Sequence, residues 1–233
     1  MTFASLHESG LFVMPNAFDA GSAKRLAEAG FAALATTSHG HAATLGKSDL
    51  EVTREELVAH VALLASVVDV PINVDSADCF PREEGGVVRT VELLAQAGAA
   101  GLSIEDYDPE ASASVPFDEA VARVAAVVEA AHRHDIVVTA RCESVLYGLG
   151  EDHLARLAAY RDAGADVLFA PLVNDEDGIA AIVGLGLPVN FLAAGDHPRV
   201  ELLRELGVRR VSTGGALAMA AYDAAVAAAK ALV

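Results

Sequence analysis

The chain has 233 residues, 53 % hydrophobic and 21 % charged, enough apolar side chain for one sizeable core and too much for a disordered chain. Thirty-three acidic residues against sixteen basic ones leave a net charge of -17, which repels phosphate backbones and anionic lipid, so neither nucleic acid nor a membrane is an expected partner. Cys79 and Cys142 are too few for a disulfide framework; the start MTFASLHESG has no signal-like core and no apolar run is long enough to span a bilayer, so a reducing cytoplasm is expected.

Along the chain, short apolar runs of β character alternate with Ala/Leu/Glu/Arg stretches of helical period. LFVMP (11 to 15) precedes a helix near 18 to 29, and FAALATT (31 to 37) precedes a long loop and a helix near 53 to 68. PINVD (71 to 75), GLSIE (101 to 105) and IVVTAR (136 to 141) are followed by helices near 84 to 97, 117 to 133 and 151 to 163. DVLFAP (166 to 171), PVNFLA (188 to 193) and VRRVST (208 to 213) lead into helices near 175 to 184, 198 to 206 and 215 to 232. Eight such units average about 29 residues, the size of the repeat in a (β/α)8 TIM barrel, where a doubly wound sheet normally has fewer. The expected fold is therefore α/β, a (β/α)8 TIM barrel, with 1 to 233 forming a single domain.

In such a barrel the active site lies at the C-terminal strand ends and in the loops that follow. Those positions hold Asn16 and Asp19, Ser38 to His41, Asp75, Asp78 and Cys79, Glu105 and Asp106, Arg141 to Glu143, Asn174 and Asp175, and the segment Gly195 to His197. Only three lysines occur and none lies on a predicted strand, so an imine-forming lysine is not expected. No dinucleotide or P-loop glycine motif and no HExxH are present. What remains is hard oxygen chemistry: Asp75 and Glu105 on neighbouring strand ends, with Asp49 in the loop after the second strand, a set suited to Mg2+. The plainer alternative is that each acid caps the next helix. Arg141 points into the predicted mouth as an anion clamp, a role compatible with a salt bridge to Glu143 or Glu105. The TTSHG turn, with Ser38, His39 and Gly40, could aim backbone N–H groups at the same anion.

The stretch MPNAFDAGSAKRLAEAGFAALATTSHGHAATLGKSDLE (14 to 51), then PINVDSAD, GAAGLSIED, VVTAR, PVNFLAAG and GVRRVSTGG, resembles in order the isocitrate lyase/phosphoenolpyruvate mutase family. The resemblance implies a Mg2+-dependent lyase-type barrel that makes or breaks a C–C or P–C bond in a small 2-oxo or 2-hydroxy carboxylate through an enolate. It implies that Asp75, Glu105 and Asp49 serve the metal, that Ser38, His39, Gly40, Arg141 and Asn190 hold the substrate, and that Arg141, Asp49 and Glu105 carry the catalysis. A homo-oligomer is expected as well, with the exchange of a C-terminal helix between subunits left open.

Two departures narrow the expectation. The second acid of the third-strand motif is replaced by Ala77, and no Lys-Lys-Cys-Gly-His string occurs; Cys79 is the one thiol in the corresponding loops. True isocitrate or methylisocitrate lyase activity is therefore not expected. The alternatives are a phosphonopyruvate-type hydrolase or mutase, and a barrel that binds a carboxylate without turning it over.

Overall fold

The computed structural model describes residues 2–233. All eight expected strands form: β1 (Phe12–Met14), β2 (Leu34–Ala35), β3 (Ile72–Asp75), β4 (Gly101–Glu105), β5 (Val137–Arg141), β6 (Val167–Phe169), β7 (Val189–Leu192) and β8 (Arg210–Ser212). Each pairs in parallel with its sequence neighbour from β2 to β8, and β8 pairs with β1. The circle closes just past β1. Ala17 N–H donates to Ala35 O (2.7 Å) and Ala35 N–H to Pro15 O (3.0 Å).

The outer layer consists of α1 (Ala20–Glu28), α2 (Ser38–Thr44), α3 (Arg54–Ala65), α4 (Gly86–Gln96), α5 (Phe117–His132), α6 (His153–Asp162), α7 (Glu176–Val183), α8 (Val200–Glu205) and α9 (Ala216–Lys230). Side chains such as Val74, Leu102, Val138 and Leu168 are buried on the strand faces turned to this layer, with Leu94, Val127 and Leu157 against them. Buried Val and Leu on both elements is what a parallel sheet under helices requires. Two of the candidate site acids are caps instead: Asp19 accepts the Ser22 N–H (2.6 Å) in a capping box, and Asp175 accepts the Gly178 N–H (2.8 Å). No helix among the described residues is long and apolar enough to cross a membrane.

Three elements escaped the sequence reading. Helix α2 follows β2 directly where a loop was expected, a short antiparallel hairpin joins Tyr107–Asp108 to Ala113–Ser114, and a 3-10 turn (Ala4–His7) seals the floor. In that floor Phe3, His7 and Phe12 meet edge to face, with centroids 4.9 to 6.5 Å apart. Gly101 is needed there because a Cβ would lie 2.4 Å from the Phe3 ring. Above the floor the barrel interior is polar, with Asn73, Ser103, Thr139, Asn190, Arg210 and Ser212 all buried.

Candidate active site

The parallel register decides which strand-end side chains meet. Asp75 stands opposite Ser103, and Glu105 opposite Arg141, so two acids and a guanidinium converge at the C-terminal mouth. Arg141 Nη1 lies 2.9 Å from Asp75 Oδ1 and 2.8 Å from Glu105 Oε1. Its Nε and Nη2 donate to the two oxygens of Glu143 at 2.8 and 3.2 Å, a parallel fork. The Phe169 ring lies under the guanidinium, 4.9 Å from its carbon.

Glu143 is fixed in turn. Its N–H donates to Asp106 Oδ1 (2.8 Å), while Asp106 Oδ2 accepts from Tyr160 Oη (2.6 Å) and Arg156 Nη1 (3.2 Å). Asp106 and Glu143 thus hold Arg141 in place. The spacing R-C-E offers Glu143 as a salt-bridge partner for Arg141 and the position after β4 brings in Asp106, but its partners on α6, Arg156 and Tyr160, carry no signal in the sequence.

Three carboxylates around one guanidinium leave excess negative charge in a buried place. Burial, with Glu143, Asp75 and Asp49 adding to it against the pull of Arg141, raises the Glu105 carboxyl well above the usual carboxylate range. Burial raises Glu143 as well, against the opposing pull of Arg141. Burial works against the charge of Arg141, but Glu105, Glu143 and Asp75 outweigh it and hold the guanidinium firmly charged.

The remaining candidates fall into two groups. Ser38 belongs to the site: its N–H donates to Asp75 Oδ2 (2.9 Å), so the protein's own carboxylate occupies the start of the turn. His39 and Asp49 sit together at the rim, partly exposed, Nδ1 to Oδ2 3.6 Å. Gly40 does not reach the site. Its N–H donates to Thr37 Oγ1 (3.2 Å), and a Cβ there would lie 3.1 Å from both Ala218 and Phe18, so this glycine permits α2 to pack against its neighbours. Asn190 lines the cavity but is already engaged, donating to Ser212 Oγ (2.9 Å) and accepting from Arg210 Nε (2.7 Å).

Arg210 was missed entirely. It is 1 % exposed, yet its partners are the neutral Asn190, Thr139 Oγ1 (2.8 Å) and His7 Nε2 (3.3 Å). Burial, followed by repulsion from Arg141, lowers its guanidinium to about 9. The only signal was the adjacent pair Arg209-Arg210 on a strand, of which alternation turns one inward.

Two sequence departures acquire structure here. Ala77, in the place of the second acid, adopts φ 48°, and its carbonyl accepts the Glu105 N–H (2.9 Å). Asp78 accepts the Phe80 N–H (2.9 Å) and lies 3.6 Å from Arg82. Cys79 is fully buried with Sγ 3.0 Å from Ser76 Oγ, and burial pushes its thiol up to about 12. It holds no thiolate at neutral pH.

Among the described residues no three His, Cys, Asp or Glu side chains form a ready-made metal cage: Asp75 and Glu105 turn onto Arg141, and Asp49 turns onto His39. The donor chemistry nevertheless fits a hard cation. Magnesium keeps several waters and takes one or two carboxylates, and here two stand on adjacent strands with unbalanced negative charge. A cavity of about 260 Å³ opens above, lined by Ser38, His39, Asp49, Asp75, Arg141 and Asn190 among others.

The parallel eight-stranded barrel, with acids and an arginine at its C-terminal mouth, is a TIM barrel whose charged residues gather where such barrels carry their active sites. The phosphoenolpyruvate phosphomutase family model matches residues 3–233, and the chain belongs to this isocitrate lyase/phosphoenolpyruvate mutase family. Its relatives include an oxaloacetate decarboxylase of Paraburkholderia xenovorans, 36 % identical over 87 % of this chain and 70 % of the relative. An uncharacterized protein of Mycobacterium tuberculosis is 34 % identical over 100 % of this chain and 89 % of its own length. Among solved structures, 2,3-dimethylmalate lyase superposes with a TM-score of 0.85 at 30 % identity, covering 99 % of this chain and 87 % of that one. Family members are carbon–carbon lyases, mutases and hydrolases, and this chain is an enzyme of that group.

Proposed function

We propose that the protein is a Mg2+-dependent lyase-type enzyme that breaks or forms a C–C or P–C bond in a small 2-oxo or 2-hydroxy carboxylate through an enolate. The observation that carries this reading is one atom, Arg141 Nη1, within 2.9 Å of both Asp75 and Glu105 at adjoining strand ends. A phosphonopyruvate hydrolase structure holding oxalate and Mg2+, 25 % identical with a TM-score of 0.85, supports it. In this reading Asp75 and Glu105, with Asp49 from the loop, would hold the Mg2+, which would supply the positive charge that a developing enolate oxygen needs.

The protein's own groups do the rest. Arg141, its Nε–Nη2 fork held by Glu143 and its plane by Phe169, has Nη1 left to donate to the substrate carboxylate once Asp75 and Glu105 are otherwise engaged. The Ser38 N–H, now on Asp75, donates to the same carboxylate. Asn190, pinned by Arg210, presents a fixed amide from the cavity wall. Asp49 stands at the open rim beside His39, from where the loop would bring it to the reacting groups.

The buried Cys79 thiol favours a second, narrower reading in which water or a phosphoryl group does the work of a thiolate, as in a phosphonopyruvate-type hydrolase or mutase. A cytoplasmic homo-oligomer belongs to the same proposal, supported by two buried free cysteines and by Tyr222, Val226 and Leu232 exposed on the C-terminal helix and tail. The test is a substrate panel with Mg2+. Release of pyruvate or glyoxylate from 2-oxo and 2-hydroxy acids, abolished by chelation, supports the lyase; phosphate from phosphonopyruvate supports the hydrolase. Oxalate binding without any turnover makes the protein a carboxylate binder, and no Mg2+-dependent oxalate binding overturns the proposal. Isocitrate cleavage that disappears in Cys79→Ser would show that thiol chemistry survives from an unexpected place.

A further inference from the structure

A second cavity, of about 240 Å³, shares Ser38 and Asp75 with the first, and Glu105 also lines it. Its remaining walls are of a different kind. Leu50 and Val52 come from the segment between α2 and α3, Leu57 from α3, Phe80 and Pro81 from the β3–α4 loop, and Tyr107 from the hairpin. Three separate loops therefore converge to make an apolar chamber beside two of the site's acids. The chamber is built. The Phe80 backbone is held at φ 53° by Asp78, which accepts its N–H (2.9 Å), and Tyr107 is backed by the Tyr147 ring at 3.8 Å and 10°. Arg82 ties the loops together, 3.6 Å from Asp78, 2.7 Å from Asp108 and 3.6 Å from Glu110.

Size and charge restrict the occupant. A cavity of roughly 150 Å³ lined by aliphatic side chains already admits benzene, so this one has room for a branched alkyl or aryl group. A carboxylate is disfavoured there: beyond the two acids assigned to the metal, Asp78 and Glu83 also line the chamber, and Arg82 already serves three acids.

We infer that the 2-oxo monocarboxylate formed or consumed here, whose enolate carbon carries the bond made or broken, bears an apolar substituent on that carbon, seated between Leu50, Val52, Leu57, Phe80 and Tyr107. The inference rests on the proposed carboxylate site, because the shared walls Ser38 and Asp75 are what join the two cavities. It selects against a dicarboxylate.

The experiment is calorimetric titration of the full chain in Mg2+ with oxalate, pyruvate, 2-oxobutanoate, 3-methyl-2-oxobutanoate and oxaloacetate. Affinity is expected to rise about 4-fold for each added methylene, the equivalent of ~0.8 kcal/mol of buried CH2, and oxaloacetate should bind more weakly than 3-methyl-2-oxobutanoate. Val52→Trp, which fills the chamber, should erase the alkyl gain and leave oxalate within about 2-fold. Leu50→Gly, which opens a wall at a residue whose φ is 67°, should reduce the gain in a chain whose backbone stays unstrained. If oxalate binds and the alkyl acids bind no better than pyruvate, or oxaloacetate binds best, the chamber is not a substrate subsite and the carboxylate site stands. If oxalate itself does not bind, the site and the inference fall together.

Discussion

Arg141 at the mouth of the barrel and Arg210 near its floor are both buried guanidiniums of the same interior, and their surroundings are opposite. Arg141 is gripped by Asp75, Glu105 and Glu143, whereas Arg210 has an amide, a hydroxyl and an imidazole. A buried charge is tolerated by being paired or by being spread over good acceptors. The mouth uses the first solution to excess, three acids for one cation, and the excess is the negative charge that a metal would neutralise. The floor uses the second, which stiffens the barrel and adds positive potential beneath the site without adding an acid that would compete for the cation.

Several measurements would break or sharpen that contrast. The largest effect is expected from Asp75→Asn: Mg2+-dependent oxalate binding should vanish, while Arg141 keeps Glu105 and Glu143 and the thermal midpoint stays nearly unchanged. Persisting binding would remove Asp75 from the metal site. Arg156→Met should destabilise by about 3–5 kcal/mol in urea titrations, since it strips a buried carboxylate, Asp106, of its cation and loosens Glu143 above it. Arg141→Lys keeps the charge and loses the fork, so oxalate affinity should fall by about 1–3 kcal/mol. Arg210→Met should cost ~1 kcal/mol or less, because the lost hydrogen bonds are offset by removing a desolvated charge that no acid compensates. A cost as large as that of Arg156→Met would show that floor and mouth are not different in kind.

A last effect concerns pH. His41 and His60 stack at 3.8 Å, and burial followed by His41 lowers His60 to about 3. The folded chain therefore binds fewer protons than the unfolded chain below about 6.5, the unfolded value, so stability should decline as pH falls from there toward 3. His60→Phe should flatten that decline, which chemical denaturation at a series of pH values would detect.

The sequence by itself determined the eight βα units and the acids and arginine that end β3, β4 and β5, because strand period, helix period and the position after a strand are local properties of the chain. It also carried Asp75, Glu105 and Arg141 to one and the same end of the barrel, since every parallel strand points the same way. It did not reveal α2, a short helix whose glycine reads locally as a turn and whose stability comes from packing on Phe18 and Ala218. For the same reason Gly40 looked like an anion-binding residue and is a packing contact. Which carboxylate Arg141 grips, why Asp106 stands behind Glu143 and why Arg210 is buried without an acid were decided only by the tertiary structure. Glu143 apart, those partners lie 20 to 203 residues away in the chain, and only the register of the closed sheet and the seating of α6 bring them within hydrogen-bond distance.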